Sequence, residues 1–225
     1  MKTSSAADAG RDPDRPGEPL APGLRADGIR FGFPGTNLFD GLDATFGPGL
    51  SLVVGGDGRG KTTLLRILAG VLEPADGDCI ACGVRRSADP AGYRARVLLA
   101  GFGEDALAKQ SAGRWLGDLA RPWPDFDVGL LRELVGGLQL EPHLDKTGEM
   151  LSTGTRRKVM IAGAIASGAP VTLIDDPFAA LDFRSASLVA DLLRARSGAG
   201  PRAWIVACHA PIPGVPAERI LDLGD

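Results

Sequence analysis

Gly55-Gly56-Asp57-Gly58-Arg59-Gly60-Lys61-Thr62 concentrates four glycines, a lysine and a hydroxyl in eight residues, a combination suited to gripping a phosphate. Glycines let the backbone take tight, partly positive-φ conformations, so that successive N–H groups converge on an anion. The spacing fits G-x-x-x-x-G-K-[ST], in which Lys61 bridges the β- and γ-phosphates and the Thr62 hydroxyl ligates Mg²⁺. Thr63 follows on the helix whose positive N-terminal end faces the same anion, and it is counted with the binding residues. By itself such a loop leaves kinases, GTPases and motor ATPases open.

A second group of residues supplies carboxylates. Val171-Thr172-Leu173-Ile174 is apolar and ends in Asp175-Asp176, so a strand would deliver Asp175 to a sheet edge beside the glycine loop, where it holds the Mg²⁺ shell. Asp176 would then stand where a carboxylate orients the water that attacks the γ-phosphate. The plainer alternative is that both acids cap the turn before Pro177.

The elements that must position these groups alternate along the chain. Gly28 to Phe33, Leu42 to Phe46 and Leu50 to Val54 read as strands, the last running into the glycine loop. Thr62 to Leu72 carries Leu64, Leu65, Ile67, Leu68 and Val71 at helical spacing, and Gly77 to Gly83 reads as strand and turn. Arg96 to Glu149 reads as helical, broken at Pro122 and Pro124, with a helix from Val128 to Leu138. Beyond Ser152 the pattern is helix (about Arg156 to Ala166), strand (Val171 to Ile174), helix (about Arg184 to Arg196), strand (Trp204 to Ala207) and a short strand at Arg219 to Leu223. Strands alternating with helices predict an α/β fold with a largely parallel sheet.

Bulk properties narrow the class. Residues 1–22 are rich in Pro, Asp, Arg, Gly and Ser and predict a disordered tail, leaving one folded domain over 23–225. A formal net charge of −3 gives no field that favours nucleic acid. The longest near-apolar stretch, Val159 to Ile174, is interrupted by Ser167, Gly168, Pro170 and Thr172, so no membrane span is expected. The residues after Lys2 do not form the apolar core of a secretion signal, which points to the cytoplasm. Cys79 and Cys82 form a C-x-x-C, but on one strand their odd spacing sends the thiols to opposite faces, against a metal or redox role.

Leu151-Ser152-Thr153-Gly154-Thr155, followed by Arg156-Arg157-Lys158 and an apolar helix, resembles the LSGGQ signature of ABC ATP-binding subunits, between a helical stretch and the Asp175 strand as in that family. Asp175 then corresponds to the Walker B aspartate. Ala179-Ala180-Leu181-Asp182 resembles the D-loop, His209 the switch histidine that contacts the γ-phosphate, and Phe33 the aromatic that stacks on adenine, with a core phenylalanine as its alternative. Trp123-Pro124-Asp125-Phe126-Asp127, Asp176-Pro177-Phe178 and His209-Ala210-Pro211 resemble small exporter cassettes, including the haem-exporter type.

The resemblance implies a P-loop NTPase core, an N-terminal antiparallel β subdomain and a helical insertion at about 103–158. It implies ATP and Mg²⁺ as ligands and catalysis by Lys61, Asp176 and His209. Ser152 and Gly154 would bind the nucleotide of the opposite subunit, with Asp182 also at the site. It implies a homodimer or heterodimer on a transmembrane permease, and so a peripheral place on the inner face of the membrane. The apolar insertion residues Phe102, Trp115 and Trp123 would be candidates for docking that permease.

Three departures from the pattern qualify hydrolysis. Asp176 replaces the usual Glu and is one methylene shorter, a shortfall of about 1 to 1.5 Å towards the water. The Q-loop glutamine position falls near Phe102, and neither Glu104 nor Gln110 is in register. Thr153 and Thr155 replace the signature's central Gly and its Gln. Tight ATP binding with slow turnover is therefore expected. A soluble ABC ATPase without a transport role, or a nucleotide-dependent regulatory or structural module, stays open as an alternative.

Overall fold

The computed structural model describes residues 23–101, 107–198 and 200–224. Along the chain the strands are β1 (Leu24–Phe33), β2 (Thr36–Phe46), β3 (Gly49–Val54), β4 (Asp76–Ala81), β5 (Val84–Arg85), β6 (Val97–Ala100), β7 (Val171–Asp175), β8 (Ala203–Cys208) and β9 (Arg219–Asp222). The helices are α1 (Lys61–Leu68), α2 (Pro90–Arg94), α3 (Ala112–Ala120), α4 (Val128–Gly137), α5 (Thr153–Ala166) and α6 (Phe183–Arg194). The fold is α/β: a parallel sheet in the order β6-β7-β8-β3-β9 and an antiparallel sheet in the order β2-β1-β4-β5.

Every residue of β3 and β8 is buried, as expected of central parallel strands covered on both faces. Their side chains alternate between two cores. Leu50, Leu52, Val54, Trp204 and Val206 join one with Val159, Ile161 and Ile165 of α5. Val53, Ile205 and Ala207 join the other with Leu64, Leu65, Ile67 and Leu68 of α1. Each fully buried leucine or isoleucine contributes about 1.5–3 kcal/mol, so the sheet that carries the functional loops is anchored on both faces.

The C-terminal end of α5 is closed by a residue the sequence reading passed over. The Arg202 guanidinium donates to the Ala169 carbonyl (2.8 Å), the Ile165 carbonyl (3.2 Å) and Thr172 Oγ1 (2.7 Å). It also stacks 4.2 Å from the Trp204 ring. It thereby satisfies carbonyls that the helix end leaves without partners, and burial lowers its pKa to about 10.

Several expectations are corrected. Arg96 to Glu149 is not helical throughout, because Val97–Ala100 forms β6 at the sheet edge against β7. A four-residue apolar run carries no periodicity that separates strand from helix, and only pairing with β7 decides it. The first strand begins at Leu24 rather than Gly28, since a register irregularity between Ala26 and Ile29 carries the pairing past Gly28. Cys82 lies beyond the end of β4, in the turn before β5, at φ 46°, so the two cysteines do not share one strand as assumed. Trp115 and Trp123 are only 8% and 7% exposed; they pack inward and offer no docking surface. Phe102, Glu104 and residues 1–22 lie outside the described residues.

Candidate functional site

The site gathers at the C-terminal ends of the parallel strands, because each strand of a parallel sheet releases its loop at the same edge. The register places Val54 beside Cys208 and Asp175 beside Ala207, so the glycine loop, the two acids and the segment leading to His209 emerge side by side. Burial pushes the Cys208 thiol up to about 11, with the Asp176 charge reinforcing the shift and the Lys61 ammonium opposing it. Both charges are therefore within electrostatic reach of the end of β8.

Residues Gly55 to Gly60 wrap the N-terminus of α1, with Asp57, Gly58 and Arg59 exposed. Gly60 is the helix N-cap at φ 89° and provides no side-chain cap, which leaves the first N–H groups of α1 without side-chain acceptors. The positive φ favours glycine there, and a Cβ on Gly60 would lie 2.6 Å from Leu38 Cδ2, so that side chain would have to shift to admit one. Lys61 Nζ donates to the Gly55 carbonyl (2.6 Å) and the Gly56 carbonyl (2.7 Å), which folds the ammonium back over the loop. Thr63 is half-buried on the next position of α1.

Thr62 Oγ1 donates to Asp175 Oδ2 at 2.6 Å. A hydroxyl and a carboxylate meeting at the mouth of a glycine loop fit Mg²⁺, which takes one or two protein oxygens and fills its octahedron with phosphate and water. Thr62 and Asp175 also line a cleft of 580 Å³ together with Phe33, Arg66, Arg157 and Met160. Phe33 ends β1 with 55% of its surface exposed and sits edge-on to Phe31 at 5.2 Å; it is not a core residue.

Asp176 follows β7 at φ 43°, a left-handed conformation that aspartate tolerates better than most side chains. Its N–H donates to the Ala207 carbonyl at 2.9 Å. The first alternative, turn capping by both acids, does not describe these contacts: Asp175 faces Thr62, and no hydrogen bond among the described residues uses the Asp176 carboxylate. His209 is exposed just past β8.

Ser152 caps α5, its Oγ accepting from the Thr155 N–H at 3.1 Å, so the helix begins at Thr153, three residues before the expected start. Gly154 touches the D-loop-like segment so closely that a Cβ would run into the Ala180 carbonyl oxygen. Gly154→Ala is therefore expected to cost about 1–3 kcal/mol through overpacking, read as a lower denaturant midpoint with unchanged m-value. Asp182 caps α6 through the Ser185 N–H (2.9 Å) and pairs with Lys158 Nζ at 2.5 Å. The Lys158 contact, followed by the bonds from Ser185, holds its carboxyl well below the usual range.

The structure adds a contact absent from the sequence reading. Arg157 Nη1 donates to the main-chain carbonyls of Asp175 (3.3 Å) and Asp176, joining the helix that follows the signature to the end of β7. The run Arg156-Arg157-Lys158 was the visible signal, but three adjacent cations on a helix do not announce which one reaches the end of β7. Gln110 lies in the turn before α3 and is not among the residues lining the cleft.

Comparison with known proteins agrees with this geometry. The family profile described as ABC transporter matches residues 39–179. The cytochrome c biogenesis ATP-binding export protein CcmA of Alkalilimnicola ehrlichii is 33% identical over 89% of the chain and 86% of its own length. The hemin import ATP-binding protein HmuV of Streptomyces coelicolor is 30% identical over 92% of the chain and 76% of its own length. Among solved structures, a putative ABC transporter ATP-binding protein from Pyrococcus furiosus superposes with a TM-score of 0.71 at 20% identity, over 89% of this chain and 97% of that one, a likeness of fold. These matches over most of the sequence place the chain in the ABC transporter family as an ATP-binding subunit.

Proposed function

We propose that this chain hydrolyses ATP, slowly, to energise a separate membrane permease, most simply an exporter, and that it works as a pair with a second ATP-binding subunit. The Thr62–Asp175 contact at 2.6 Å carries the reading, since it joins the loop hydroxyl to the strand carboxylate where Mg-ATP requires both. Mg²⁺, when bound, would neutralise developing charge on the phosphates. Lys61 would leave the loop carbonyls for the β- and γ-phosphates, and Phe33 would offer its exposed ring to the adenine. Asp176 would orient the attacking water and take its proton, with His209 at the γ-phosphate. Export follows the relatives named CcmA, described as export proteins, whereas HmuV is described as an import protein.

No helix among the described residues is long and apolar enough to cross a membrane. In this reading the permease is another chain, with this one resting on its cytoplasmic side. Co-purification tests this directly. A membrane protein retained with the full chain, and stimulating its ATPase activity, is the expected result; a soluble complex with no membrane component would sink the transport reading.

Pairing draws support from two exposed apolar side chains beside the signature and D-loop segments. Phe183, next to Asp182, is 89% exposed, and Met150, next to Leu151, is 68% exposed. Phenylalanine and methionine are both enriched at the cores of protein interfaces. In a homodimer, Phe183→Ser is expected to weaken Mg-ATP-dependent association by about tenfold or more, measured by sedimentation velocity. An unchanged dimerisation constant would place Phe183 outside the contact.

A further inference from the structure

The end of β7 is held from two sides by groups that touch only its main chain. The Asp176 N–H donates to the Ala207 carbonyl of β8 at 2.9 Å, and the Asp176 carbonyl accepts weakly from the Ala179 N–H in the following turn (3.3 Å) and from Arg157, whose Nη1 also reaches the Asp175 carbonyl at 3.3 Å. Held by these bonds, the residue adopts φ 43°. An aspartate carboxylate lies so close to its own backbone that its place in space follows the φ and ψ of the residue more directly than that of a longer side chain. Whatever holds the Asp176 peptide therefore aims the carboxylate.

We propose that Arg157 is a positioning residue for Asp176, tying the aim of that carboxylate to the position of the α5 N-terminus; this rests on the reading of Asp176 as the hydrolytic carboxylate. Arg157 lies on the same helix as the Ser152 cap and Gly154, so any displacement of that end of α5 relative to β7 pulls on the Asp176 carbonyl. The link suits a chain with a short acid at this position. A carboxylate on a single methylene has one torsion fewer than glutamate with which to absorb a backbone shift, and a misplacement of about 1 Å can cost on the order of a hundredfold in rate. A role limited to gluing α5 to the sheet would lower stability without acting through the Asp176 side chain.

The full chain is compared with Arg157→Ala, Arg157→Lys, Asp176→Asn and the double variant Arg157→Ala/Asp176→Asn. Without nucleotide, hydrogen exchange of the segment around Asp176 is expected to accelerate in Arg157→Ala and less so in Arg157→Lys, which keeps a donor at this position. The dissociation constant for Mg-ATP is measured in parallel, and hydrolysis is compared at saturating nucleotide so that any change in binding from this cleft-lining residue is separated from the rate. Single-turnover hydrolysis is expected to fall by about tenfold to a hundredfold in Arg157→Ala, with partial recovery in Arg157→Lys and no further loss when added to Asp176→Asn. Unchanged hydrolysis in Arg157→Ala, or an equal loss with and without the Asp176 carboxylate, would overturn the positioning role. A normal rate in Asp176→Asn would instead overturn the reading of Asp176 on which the proposal stands.

Discussion

Asp176→Asn is expected to lower ATP hydrolysis by about 10²–10⁴-fold, the range attributable to a positioned acid–base group, while Mg-ATP binding is retained. The substitution is unusually clean here. Asparagine suits the left-handed conformation at φ 43° as well as aspartate does. The contacts that hold the residue, from its N–H to Ala207 and from Arg157 to its carbonyl, belong to the main chain and survive the change. Thr62 and Asp175 are untouched. What is lost is a negative charge able to accept the water proton, so the deficit should appear in kcat and not in the nucleotide dissociation constant. Rapid-quench turnover with a parallel binding titration checks it, and a variant that hydrolyses at the parent rate would remove Asp176 from the mechanism.

Lys61→Ala should act on the other half of the site. The Lys61 ammonium is held by the Gly55 and Gly56 carbonyls at 2.6 and 2.7 Å, so it is stored against the loop it serves. Without it, those carbonyls lose their donor and the β- and γ-phosphates lose their charge partner. A hydrogen bond to a charged group contributes about 1.5–3 kcal/mol, which corresponds to at least about a tenfold rise in the dissociation constant for Mg-ATP. Hydrolysis should fall by about 10²–10³-fold, as when one donor to developing negative charge is removed. Because the lysine bridges the terminal phosphates, ADP should lose less affinity than ATP. Equal affinities in the variant and the parent protein would take the loop out of the nucleotide site. The two variants also separate the functional alternatives: a cellular activity that survives Asp176→Asn and is lost in Lys61→Ala would mark a module in which binding, not hydrolysis, matters.

The sequence by itself determined what lies within a few consecutive residues. The glycine loop, the apolar run ending in Asp175 and Asp176, and the capped segment Leu151 to Thr155 were legible because each encodes its local geometry through residue type alone. The alternation of strands and helices implied the parallel sheet for the same reason. Tertiary structure decided the rest. Whether Val97 to Ala100 is strand or helix depended on its pairing with β7, and no periodicity in four apolar residues expresses that. Trp115 and Trp123 became core because α3 and its following turn face inward, while Phe33 became exposed because β1 ends beside the cleft. Arg157, one of three adjacent cations, was singled out only by the approach of α5 to the end of β7. The contact on which the function rests joins Thr62 to Asp175 across 113 positions. Each residue type announced its chemistry locally, but their meeting at 2.6 Å is a property of strand order, which brings β3 and β7 to either side of β8.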